Sequence, residues 1–174
     1  MTLEHVRPLI VPASYATVGV PAAMVPLRAP DLALTWVELA ESETMTYVTP
    51  ARAAEYDRVR PDWRRVALDE MRRADDGLVW THEKRVADGS LLWVAMMHDD
   101  GLGSSRLLLA EELRLAFPSG YLVAIPDRSC GVAIARDAPE IARLREMVAD
   151  MHAGATTPMI PDLREPAELL SPSL

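Results

Sequence analysis

The sequence predicts an α+β fold, with a mixed or antiparallel sheet of about six strands and three to four helices packed on it. Apolar runs flank turn residues at 87–90 and at 126–130, which is typical of β-hairpins. Apolar residues also recur at intervals of three and four over 63–71 and 141–151, which indicates amphipathic helices. Hairpins in succession, each followed by one helix, favour an antiparallel sheet with helices on it.

Composition narrows the possible partners and the location. The chain has 174 residues, of which 49% are hydrophobic, so it can bury a sizeable core. Its 18 basic and 26 acidic side chains give a formal charge of −8, which disfavours nucleic acid and anionic membranes as partners. The prolines and early acidic residue of the N-terminus do not resemble a secretory signal, so we expect a cytoplasmic protein.

The first thirty residues differ from the rest of the chain in their proline content. Prolines at positions 8, 12, 21, 26 and 30 each fix φ and remove a backbone donor. Residues 1–30 are therefore predicted to form a proline-rich arm with at most one short strand. Residues 31–174 are predicted to form a single α+β domain that ends in an irregular tail.

Local signals place the elements of the first half. An apolar run over 32–39 predicts a strand, with a hairpin partner over 45–48. Thr49 and Pro50 predict an N-cap and first helical position, and Asp62 predicts the cap of a second helix. The apolar positions of that second helix predict one buried face, formed by Trp63, Val66, Ala67 and Met71.

In the second half, Asp88-Gly89 joins two strand-like runs over 78–86 and 91–98. The second run is apolar on both faces, which predicts a central strand covered on each side. The other predicted elements are a helix over 105–116, strands over 121–125 and 131–135, and a closing helix over about 137–152.

Three segments of the second half resemble a known family. They are HDDGLGSSRLLLAEEL at 98–113, YLVAIPDR at 121–128 and GATTPMI at 154–160. Their order and spacing resemble the YtpQ-like bacterial family, which is catalogued as a domain of unknown function. The resemblance covers roughly residues 31–170 and implies a fold but no activity, cofactor or catalytic residue. Family members have a longer N-terminal region, which the proline-rich residues replace here.

A histidine followed by two aspartates is the densest polar cluster. Neutral imidazole and ionised carboxylate both bind divalent metals, so His98 and Asp100 are candidate metal ligands that need a further ligand from elsewhere. The alternative is a turn in which Asp100 accepts hydrogen bonds from the backbone.

Two further side chains are candidates for nucleophilic chemistry. Ser105 is predicted to begin a helix after a glycine-rich turn, where backbone amides stabilise an oxyanion; an N-cap is the structural alternative. Cys130 follows Arg128, whose charge lowers a thiol's pKa; the alternative is a small buried apolar side chain. With Asp100, these residues are the catalytic candidates.

Four tryptophans occur in a chain with one phenylalanine. Most are expected in the core, but tryptophan is also enriched at protein interfaces, so Trp36 and Trp63 are candidate interaction residues. The many arginines of 52–73 are balanced by carboxylates, which predicts an ion-paired helix face and no nucleic-acid footprint.

No cofactor fingerprint and no coherent catalytic set stand out, so we expect no cofactor and lean against an enzyme. The favoured hypothesis is an acidic, cytoplasmic protein-binding or adaptor module, chaperone-like or immunity-like, whose partner is another protein; a homodimer is possible. The alternative is a small hydrolase or metal-dependent enzyme built around His98, Asp100 and Ser105. In that alternative the 126–130 loop lies opposite, and both loops meet at one edge of the sheet.

Overall fold

A computed structural model describes residues 3–40, 44–74 and 79–170. The chain divides into two compact units, unit 1 (Met1–Gly77 with Ser171–Leu174) and unit 2 (Leu78–Leu170). The described residues form nine strands, five α-helices and two short 3₁₀ helices. The α+β class and antiparallel pairing are confirmed. The predicted numbers of strands and helices were too low, because strands and short helices also form in the proline-rich N-terminal and C-terminal segments.

Unit 1 contains a four-stranded antiparallel sheet and two α-helices. A 3₁₀ helix, Ala13–Ala16, follows the first strand. The elements are β1 (Val6–Pro12), β2 (Val25–Pro26), β3 (Leu32–Leu39), β4 (Met45–Tyr47), α1 (Pro50–Val59) and α2 (Trp63–Ala74).

Strand β3 is the centre of this sheet, because β1, β2 and β4 all pair with it. The predicted strand over 32–39 and its hairpin partner are confirmed. The segment expected to be an arm contains β1, whose residues are almost all buried and which pairs with β3 from Val6↔Glu38 to Pro12↔Leu32. Its prolines fit because β1 lies at an edge of the sheet, where a missing backbone N–H is tolerated.

The helices of unit 1 begin where their sequence signals place them. Thr49 Oγ1 accepts a hydrogen bond from the Arg52 N–H at 3.2 Å, and Pro50 is the first residue of α1. Helix α2 buries the predicted face. Trp36 and Trp63 meet edge to face there, with ring centroids 5.0 Å apart.

Unit 2 contains a five-stranded antiparallel sheet in the order β5-β6-β8-β7-β9. A 3₁₀ helix, Gly103–Leu108, precedes the short helix α3, where the sequence predicts one continuous helix. The elements are β5 (His82–Arg85), β6 (Leu91–Met96), α3 (Ala110–Ala116), β7 (Tyr121–Asp127), β8 (Cys130–Ala135), α4 (Ile141–Ala153), β9 (Pro158–Arg164) and α5 (Pro166–Leu169).

The two hairpins predicted for this region are present, β5–β6 and β7–β8. Gly89 has φ of +88° in the first turn, a conformation that favours glycine. The strand predicted over 78–86 is shorter in the structure, and its first position lies outside the described residues. The C-terminal segment forms β9 and α5 where an irregular tail was expected; residues 171–174 also lie outside the described part.

The outer strands of this sheet have unlike compositions. All four residues of β5 are exposed, and β9 contains Pro158 and Pro161.

Helix α4 packs on β7 and β9, at one end of the sheet, while the 3₁₀ helix contacts β8, β6 and β7. In the described part of the chain, every helix is too short or too polar to cross a membrane.

Candidate functional site

The two loops singled out in the sequence meet in unit 2. Ser104 Oγ donates a hydrogen bond to the Arg128 carbonyl oxygen at 2.6 Å. Gly103 lies so close to the turn between β7 and β8 that an added Cβ would be 2.0 Å from the Ser129 carbonyl oxygen. We call residues 98–106 and 126–130 together the loop cluster. Its assembly agrees with the sequence expectation that these loops come together.

Asp100 holds the first loop closed. Its carboxylate accepts a hydrogen bond from the Leu102 N–H at 2.9 Å and two from the Arg106 guanidinium at 3.1 and 2.8 Å. Burial acts to raise the pKa of Asp100, but these hydrogen bonds outweigh it and hold the pKa below its ordinary value. Because Arg106 is only 2% exposed, Asp100 neutralises a buried cation, which is a structural task.

The metal-binding interpretation of His98 and Asp100 requires further ligands nearby. His98 Nε2 lies 3.1 Å from the Val79 carbonyl oxygen, within hydrogen-bonding distance. Across residues 3–40, 44–74 and 79–170, no three histidine, cysteine or carboxylate side chains are grouped closely enough to hold a metal ion. The further ligand that this interpretation needs is therefore not supplied by the described residues.

Ser105 lies inside the 3₁₀ helix, where the sequence predicts the beginning of an α-helix. Its backbone N–H donates to the Leu102 carbonyl oxygen at 3.0 Å, and the residue has no exposed surface. It therefore caps no helix, and in this conformation a substrate carbonyl has no path to its hydroxyl.

Cys130 is also buried, with 3% of its surface exposed. Burial raises the pKa of the thiol to about 12, and the nearby Asp127 carboxylate acts in the same direction. The thiol is therefore protonated near neutral pH, which makes it a poor nucleophile. The structure favours the small-apolar interpretation of this residue.

The tryptophans proposed as interaction residues lie in the core of unit 1. Trp36 and Trp63 have no exposed surface, and Trp63 Nε1 donates to Asp57 at 2.9 Å. The Arg64 guanidinium lies 4.5 Å from the Trp63 ring centroid and 5.2 Å from that of Trp36. Neither indole is accessible to a partner, so their place is structural.

A groove in unit 2 offers accessible apolar surface instead. Its volume is about 530 Å³. Strands β5 and β6 form one wall, and one side of α4 forms the other. We call this space the groove; its lining residues are Lys84, Trp93, Glu140, Arg143, Leu144, Glu146, Met147, Asp150 and Met151.

The groove exists because α4 covers only part of the sheet. Lys84 and Trp93 are directly opposite each other on β5 and β6, so their side chains share one face. Helix α4 packs on β7 and β9, at the other end of the strand order. Trp93 is consequently half-buried, whereas the other five residues of β6 are buried, so the predicted covering of both faces is confirmed except at Trp93.

The helix wall combines buried and accessible apolar residues. Leu144, Met147 and Met151 are spaced by three and four, so they lie along one side of α4. Leu144 is buried, whereas both methionines are half-buried. A half-buried tryptophan opposite two half-buried methionines provides a surface that adapts to apolar side chains.

Charged residues line the rim unevenly. Glu140 lies 3.9 Å from Lys84 and 3.8 Å from Arg143, which brings both basic residues of the groove close to a carboxylate. Glu146 and Asp150 are exposed and four residues apart on α4. Within the part of the chain that the structure describes, neither of these two carboxylates has an ion-pair partner. The charges of the rim that are not in ion pairs are therefore negative.

Sequence reasoning did not identify the groove. It predicted an amphipathic helix over 141–151 and did not single out Met147. The available signal was that Met147 widens the apolar stripe of α4 beyond Leu144 and Val148, the residues that the helix buries. A stripe wider than the covered face leaves accessible apolar side chains.

Comparison with known proteins adds no assignment. No family model matches the chain, and no match was found among curated proteins or solved structures. The resemblance to the YtpQ-like family stays a prediction.

Proposed function

We propose that this chain is a protein-binding module that holds a short segment of a partner protein in the groove. The observation that carries the proposal is the half-buried Trp93 facing Met147 and Met151 across a space of about 530 Å³. Tryptophan is among the residues that contribute most to binding energy at interfaces. Methionine side chains adjust their shape to different apolar partners.

The loop cluster also supports this proposal, because it contains the residues on which the alternative, an enzyme, depends. Its candidate catalytic groups are engaged within the fold: Asp100 binds Arg106, Ser105 is buried, and Cys130 carries a raised pKa. These contacts give a structural reason for each residue. The hydrolase alternative gains no specific support from them.

A selection from a peptide-display library tests the proposal. Nine-residue random peptides are selected on the wild-type chain and then depleted on Met147→Glu, which places a charge on the half-buried helix wall of the groove. Leu115→Glu is the matched control, because Leu115 is 84% exposed and lies outside the groove.

We expect peptides that bind wild type and Leu115→Glu with equal affinity and bind Met147→Glu at least about tenfold more weakly, a difference of about 1.4 kcal/mol. A circular dichroism spectrum of each variant confirms that it is folded. The proposal is wrong if folded Met147→Glu retains every peptide, or if no selected peptide prefers wild type.

A further inference from the structure

The charges of the groove indicate the chemistry of its occupant, on the assumption that the groove binds a protein segment. Glu146 and Asp150 project from the same side of α4, four residues apart. Like charges at this spacing repel each other and destabilise a helix. A cation bound between them relieves that repulsion, whereas an anion increases it.

The basic residues of the groove do not offset this preference. Lys84 and Arg143 both lie close to Glu140, at the N-terminal end of α4, whereas Asp150 lies near the C-terminal end of that helix. An acidic occupant would have to compete with Glu140 for these two cations. Such an occupant would also face the carboxylates of Glu140, Glu146 and Asp150, so the rim disfavours an acidic segment.

The size of the groove limits the length of the segment. The groove's lining residues on this side extend from Glu140, the N-cap of α4, to Met151, which is about 16 Å along a helix axis at about 1.5 Å per residue. An extended chain covers that distance in about five residues at about 3.3 Å each. The occupant is therefore a short segment and not a whole domain face.

We infer that the groove binds a short protein segment in which an apolar side chain lies next to lysine or arginine. The apolar side chain packs between Trp93 and Met147, and the basic side chain reaches Glu146 and Asp150. The acidity of the whole chain, with a formal charge of −8, favours the approach of such a segment.

The peptides selected on the wild-type chain provide the probe. We expect lysine or arginine to be enriched beside an apolar residue in those peptides that Met147→Glu rejects. Enrichment of aspartate or glutamate, or of no charged residue, would overturn the inference while leaving the groove as a binding site. A selection that yields no groove-dependent peptide would remove both proposals.

Titration of one selected basic peptide by fluorescence anisotropy tests the role of the rim. Glu146→Gln with Asp150→Asn should raise Kd roughly three- to tenfold and weaken its dependence on NaCl. Glu111→Gln with Asp137→Asn is the control, since it removes the same number of exposed carboxylates outside the groove. Equal Kd values for the two double variants would contradict the inference, whereas a loss of binding in Met147→Glu would still support the groove.

Discussion

Ser104 and Arg128 are joined by a hydrogen bond of 2.6 Å, from the buried serine hydroxyl to the arginine carbonyl oxygen. The bond connects residues 24 positions apart and ties the 3₁₀ helix of unit 2 to the turn between β7 and β8. The serine that precedes the candidate nucleophile Ser105 is thus a hydrogen-bond donor to the backbone. The loop cluster consequently gives predictions about stability.

Gly103→Ala should strongly destabilise the protein. A Cβ at this position would lie 2.0 Å from the Ser129 carbonyl oxygen and 2.2 Å from that of Met96, and both are backbone atoms that cannot move aside cheaply. We expect a loss of at least about 3 kcal/mol in the free energy of unfolding, measured with urea. Gly154→Ala is the control, because its nearest contacts are at ordinary distances of 3.7 and 3.9 Å. Equal losses in the two variants would contradict the prediction.

Asp100→Asn should reduce stability at neutral pH by roughly 2 kcal/mol, because the buried Arg106 loses its counter-charge while Asp100 itself stays partly exposed. The pKa of Asp100 is lowered in the folded state, so the unfolded state binds more protons as pH falls. The contribution of Asp100 to the free energy of unfolding is complete above the ordinary aspartate pKa of about 4. It is lost at lower pH, as the carboxylate protonates in the folded state. Urea unfolding at a series of pH values measures this slope. A variant with the same slope as wild type below pH 4 would refute the assignment.

Cys130 should react slowly with thiol reagents in the folded protein. A pKa of about 12 and nearly complete burial leave very little accessible thiolate at pH 8. We expect its reaction with Ellman's reagent to be at least about a hundredfold slower than in urea-unfolded protein. The chain has one cysteine, so the absorbance reports this residue alone. Rapid modification without denaturant would restore the reactive-thiol hypothesis.

Tyr56 should make stability fall at high pH. Burial raises its pKa to about 12, and its hydrogen bond to Glu38 acts in the same direction. Since the phenol ionises more readily in the unfolded state, stability is unchanged by this group below about pH 10 and falls between about pH 10 and 12. Tyr56→Phe should show a smaller fall than wild type when the free energy of unfolding is measured with urea across this pH range. Identical pH profiles for wild type and Tyr56→Phe would contradict this prediction.

The sequence predicts the parts of the fold that neighbouring residues determine. Thr49-Pro50 encodes the beginning of α1, and Asp88-Gly89 encodes a hairpin turn, because each signal acts within a few residues. Strand β1 could not be predicted in this way. Its prolines oppose a strand locally, and its pairing with β3 depends on residues twenty or more positions away.

The candidate site was harder to predict for a related reason. The sequence shows that β6 and α4 are apolar, but it does not show how far α4 extends across the sheet. Trp93 is accessible because α4 packs on β7 and β9 and leaves the β5 side open. The same limit applies to Ser105, whose burial follows from the contact between two loops distant in the chain.

The outer strands of unit 2 affect how copies of this chain meet in a crowded solution. Strand β5 presents four exposed polar or charged residues at one edge, and Pro158 and Pro161 remove backbone donors from the other. Charged edges resist the desolvation that a new strand requires, and prolines cannot donate to it. Both edges of the sheet therefore disfavour edge-to-edge aggregation, although β6 in its interior is the kind of apolar strand that aggregates when exposed.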